Sequence, residues 1–130
     1  MWMIEVLTTK SFLMIKEMWV GVSDKLVMPY VKDKEILDCS DEAESIAIGA
    51  GFWLATGKRA NVFMSADGFA NTINFLTSWI IPQGIEMNLL ISTGRQEPSH
   101  KIMTDILPDL IKLLPYDPER MDIKIVTKQS

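Results

Sequence analysis

A chain of 130 residues that is 48% apolar and 23% charged can bury one core, is too short for two domains, and is not disordered in composition. Its net charge of −4, with no Lys/Arg cluster, argues against a nucleic-acid partner. The lone Cys39 and the lone His100 exclude an internal disulfide framework and offer no metal-ligand set, which fits a reducing, cytoplasmic setting.

In chain order, the first twenty residues are apolar but broken by Glu5, Lys10, Lys16 and Glu17. They fall short of the roughly 18 uninterrupted apolar residues of a membrane span and lack the basic start of a signal peptide. An amphipathic helix is expected there instead, with no membrane partner. Trp19–Val22, Ile36–Cys39, Asn61–Ser65, Met87–Ser92 and Asp122–Val126 are short apolar runs that predict buried strands. Helical periodicity falls between them, over Asp24–Val31, Asp41–Thr56, Phe69–Ile80 and His100–Leu114, with Pro108 expected to kink or split the last helix. Strands alternating with helices at this spacing predict one α/β domain over residues 1–130, an open, mainly parallel sheet with helices on both faces. Nine Met and four Trp exceed what so small a core obviously needs, so they serve either core filling or a partner surface.

In such sheets ligands gather where strand C-terminal ends meet the next helix. Ser40-Asp41-Glu42, Ala66-Asp67-Gly68 and the Thr93–His100 loop stand at those places. Asp41 and Glu44 have capping-box spacing, and Gly57-Lys58 supplies a helix stop, which explains those residues structurally. Ala43, Ala47, Ala50 and Gly51 fall on one face, while Gly49 and Gly51 each cost roughly 1 kcal/mol against Ala. Either simple packing on the sheet or close approach of a neighbour or ligand recovers that cost. Glu42 has no structural duty beyond favouring the helix dipole.

The order of strand, Glu42, small-residue helix, "ATGK", strand, then "DGFANTIN" resembles the pyrimidine-binding domain of thiamine diphosphate enzymes. The likeness runs from about Trp19 to Leu114 and is nearest to the alpha chains of sulfopyruvate decarboxylase and the matching half of phosphonopyruvate decarboxylase. Glu97-Pro98-Ser99-His100 matches a Glu-Pro-x-x-His stretch in those relatives. The chain departs from the pattern at Ser23, where relatives carry Pro, at Asp67 for Ser, and at Ala70 for Gly.

The resemblance implies that Glu42 bonds the pyrimidine ring nitrogen of thiamine diphosphate and is catalytic, and that Gly68 and Asn71 lie near the cofactor. It also implies that His100 donates or shuttles a proton and that Arg95 holds the anionic tail of a 2-oxoacid. The Gly-Asp-Gly…Asn pattern that holds Mg2+ and the diphosphate is missing, its nearest approach being Ala66-Asp67-Gly68. A second chain, a diphosphate-binding (PP-domain) beta subunit, is therefore implied, giving a hetero-oligomer. Two other readings stand beside this one: a non-catalytic assembly or regulatory subunit, and a generic small-anion module, for which Val22-Ser23-Asp24-Lys25 is a poor phosphate loop.

Overall fold

The computed structural model describes residues 15–127, so most of the helix expected in the first twenty residues lies outside it. From Ile15 the described chain is not helical and leads through Met18 into the first strand. The five strands are β1 (Trp19–Gly21), β2 (Ile36–Asp38), β3 (Asn61–Ser65), β4 (Met87–Thr93) and β5 (Met121–Thr127). They form one sheet in the order β2-β1-β3-β4-β5, with every pair parallel.

That order dictates where the helices go. The chain first steps from β1 outward to β2, then returns past β1 and moves steadily the other way. Right-handed crossovers then put the β1–β2 connection on one face and the three later helices on the other. The first connection carries only a short helix, α1 (Met28–Val31), whose Val31, with Val27 beside it, packs on Phe63 with Trp19 and Leu90 around them. The opposite face carries α2 (Glu42–Thr56), an irregular helical run α3 (residues 66–83) and α4 (Pro98–Leu113). Ile46, Ala50, Phe52, Phe69, Leu76, Leu107 and Ile111 from these helices cover Val20, Val62, Met64, Leu89 and Ile91 of the sheet. Phe52 and Ile46 are fully buried, and burying side chains of this size contributes roughly 1.5–3 kcal/mol each.

Several sequence boundaries are corrected. The helix expected from Asp24 begins only at Met28, because the Asp24 carboxylate takes the N–H groups of Leu26 (2.7 Å) and Val27 (3.2 Å) into a turn first. The helix expected at Phe69–Ile80 starts earlier, where Ser65 Oγ accepts from Gly68 N–H, and is not uniform. It passes through a 3-10 turn at Ala70–Thr72 and a π turn at Leu76–Ile80. The π turn immediately precedes Pro82, whose missing N–H and bulky ring oppose a regular helix there. Pro108 does not split the last helix, which runs unbroken from Pro98 to Leu113 with Pro108 on its exposed side.

Helix α2 is the best-specified element. Asp41 is its N-cap, its carboxylate accepting from Ala43 N–H at 2.7 Å, and Gly57 ends it in a left-handed conformation at φ 72°. Asp41→Ala is therefore expected to cost about 1 kcal/mol in urea unfolding, and an unchanged midpoint would show the cap to be idle. Of the two interior glycines only Gly49 has a packing reason. A Cβ there would lie 2.8 Å from Val62 Cγ2, whereas one at Gly51 meets nothing within 4 Å.

Candidate functional site

The N-termini of α2, α3 and α4 come together at the C-terminal edge of the sheet, α3 entered directly from β3 and α2 and α4 through short loops after β2 and β4. Glu42 stands in the first turn of α2, half-buried, and its carboxylate lies over the bare Cα of Gly68 in the first turn of α3. A Cβ on Gly68 would come within 2.3 Å of Glu42 Oε1, so only glycine leaves room for this contact. Asn71 Nδ2 reaches Glu42 Oε2 at a long 3.5 Å. Glu42, Gly68 and Asn71 thus meet although two separate turns supply them.

The same turn of α3 reaches the other way through Asp67, whose carboxylate bonds Nδ1 of His100 in the first turn of α4. Both side chains are 31% exposed. A carboxylate on Nδ1 fixes the ring orientation and leaves Nε2 as the nitrogen open to other partners. The departure at Asp67 therefore has a role in this chain: it anchors His100. Ser23 has one too, its N–H and Oγ donating to Asp38 Oδ1 at 3.2 and 3.0 Å and so tying the loop after β1 to the end of β2. Ala70 is exposed, and nothing in the structure explains it.

Arg95 turns elsewhere. Its Nη2 donates to Asp24 Oδ2 at 3.0 Å, and the other Asp24 oxygen accepts from Leu26 N–H, Val27 N–H and Ser92 Oγ (3.4 Å). Asp24 is only 12% exposed, so Arg95 neutralises a largely buried carboxylate. Its residue also lines an open cleft of about 940 Å³ between the loops after β1 and β4, beside Lys25, Tyr30 and Glu97. Glu42, Gly68, Asn71 and His100 do not line that cleft. Arg95 and His100, close in sequence, are thus engaged by different partners, on the loop after β1 and on α3.

Cys39 is no nucleophile here. Burial, reinforced by the neighbouring Glu44 carboxylate, pushes its thiol up to about 11, so it stays protonated at neutral pH. Among the described residues no group of three or more His, Cys, Asp or Glu side chains could hold a metal ion, and no helix is long and apolar enough to cross a membrane.

These two side-chain pairs escaped sequence reasoning. Asp67 and His100 are 33 residues apart and Asp24 and Arg95 are 71 apart, and no local pattern links either pair. Only the strand order brings them together. No protein-family model matches the chain, and a search of curated proteins finds no match.

Proposed function

We propose that this chain is the pyrimidine-binding alpha subunit of a two-chain, thiamine diphosphate-dependent decarboxylase of sulfopyruvate or phosphonopyruvate. One observation carries the reading: Glu42 and Asn71, 29 residues apart, meet over Gly68, at the three positions the resemblance picks out. The donor set fits a pyrimidine ring. Glu42 Oε1 has no hydrogen-bond donor among the described residues, and the bare Cα of Gly68 lets the carboxylate keep its place there.

When bound, thiamine diphosphate supplies a nucleophilic carbon and a sink for the electron pair that CO2 leaves behind. This chain's own work is narrower. Glu42 holds the proton of the ring nitrogen through a charge-assisted hydrogen bond, with Asn71 steadying its second oxygen. His100, anchored by Asp67, presents Nε2 as a proton donor or acceptor at the same edge of the sheet. Arg95 keeps further N–H donors beyond the one given to Asp24, and its fork suits a sulfonate or phosphonate. Mg2+ and the diphosphate fall to the partner beta subunit in this reading.

The isolated chain is accordingly expected to bind thiamine diphosphate weakly or not at all, even with Mg2+ present. Titration calorimetry checks this, and micromolar binding by the chain alone would refute a site divided between two chains. The test of the function itself is reconstitution with a diphosphate-binding chain and measurement of thiamine-dependent CO2 release. A stable complex without turnover would leave the chain an assembly subunit.

A further inference from the structure

We infer that the β5 edge is a self-association surface that joins two copies of this chain into a symmetric dimer with a continuous sheet. This inference is independent of the thiamine reading and rests on different residues.

The first observation is an open edge. β5 ends the sheet, it is seven residues long, and no described strand pairs with its outer side. The hydrogen bonds around β4 fix which main-chain groups are free. Met87 N–H donates to the carbonyl of Arg120, and Asn88 N–H donates the other way, to Ala60. Even-numbered residues of β5 therefore bond to β4, and the N–H and C=O groups of Met121, Ile123 and Ile125 point outward. An exposed edge of this length is a template for another strand.

The second observation is an apolar side chain left in water on the same strand. Met121 and Ile123 face the core beneath the helices, and Ile125, on the same side of β5, is 40% exposed. An exposed Ile on an unpaired edge strand is apolar surface that an added strand would cover.

The third observation selects the occupant. Asp122 and Lys124 are both exposed, and they share the other face of β5. In an antiparallel pair of two β5 strands centred on Ile123, each Asp122 stands opposite the other copy's Lys124. Both fall at non-hydrogen-bonded positions, where facing side chains approach most closely. The same register pairs the outward main-chain groups of Met121 with those of Ile125, and those of Ile123 with their own symmetry mates. Shifting the centre to Lys124 would set lysine against lysine. A lysine on an edge strand ordinarily discourages pairing, but here a second copy brings its own counter-charge. The strand is complementary to itself in this register, which points to a copy of the chain as partner.

The test is a charge swap read by light scattering after gel filtration and by sedimentation. The full chain is expected to run at twice its 14.7 kDa mass. Lys124→Asp and Asp122→Lys should each raise the dimer dissociation constant by about tenfold or more, and the two changes combined should restore it. Ile125→Glu, at a position 40% exposed that faces Met121 of the other copy in this register, should weaken the dimer in the same way with unchanged circular dichroism. A chain that stays monomeric, or a dimer that ignores both single reversals, overturns the inference. So does a double swap that fails to recover the dimer while keeping its fold.

Discussion

Glu42→Gln is expected to lower CO2 release by the reconstituted chains by about 10²-fold or more, with fold and partner binding unchanged. The substitution removes charge and almost nothing else. Glutamine has the same length, it can still sit over Gly68, and its amide can still reach a ring nitrogen. What it lacks is an anion that grows more favourable as the ring nitrogen takes on positive character. A neutral hydrogen bond is roughly half as strong as a charge-assisted one, and the difference matters most when the charge develops. The first-turn position of Glu42 explains why stability should move little, since a helix-start carboxylate contributes only about 0.3–1 kcal/mol through the helix dipole and at most about 2 kcal/mol when partly buried. Proton exchange at C2 of the cofactor, followed by NMR, reads the same step without turnover and should slow in parallel. Exchange at the normal rate would take the proton-holding role away from Glu42.

The architecture was legible in the sequence because buried parallel strands are short unbroken apolar runs, and Asn61–Ser65 matches its observed strand residue for residue. Helix α2 was legible for a different reason: the Asp41 cap and the Gly57 stop are local signals that act within a few residues of themselves, whereas Glu44 accepts from Ser40 Oγ and closes no capping box. What failed were elements whose limits are set by hydrogen bonds to side chains or by backbone crowding. Asp24 spends its carboxylate on a turn, and Pro82 follows a widened stretch of helix, neither of which apolar periodicity records. At the site, the resemblance drew attention to Glu42, Gly68 and Asn71, and the strand order supplies their proximity. The Asp67–His100 and Asp24–Arg95 pairs needed that order to be visible at all. They also recast two expectations: Asp67 is the anchor of His100, and Arg95 has a partner before any ligand arrives.

Gly68→Ala separates the geometry of this site from any view of its chemistry. The added Cβ would stand 2.3 Å from Glu42 Oε1, 2.4 Å from its Cγ and 2.5 Å from its Cδ. Gly68 is not among the glycines held at positive φ, so its backbone accepts alanine without strain. In a helical turn alanine is intrinsically favoured over glycine by up to about 1 kcal/mol. The three nearest atoms all belong to one side chain, so the glutamate has to swing away from its place. Against an intact Glu42, Gly68→Ala is expected to be close to neutral in stability, because the displaced atoms are the far end of a flexible side chain and the helical gain offsets the loss of its place. With Glu42→Ala already present the obstacle is gone, and the same change should be slightly stabilising. The size of the effect therefore depends on the neighbour, and a double-mutant cycle in urea should return a coupling of up to about 1 kcal/mol. The reconstituted enzyme carrying Gly68→Ala alone should lose activity to about the level of Glu42→Gln, because the carboxylate is displaced where the other variant merely neutralises it. An equal effect in both backgrounds would mean that Glu42 does not lie over Gly68, and the carboxylate would then have to be sought elsewhere on the edge of the sheet.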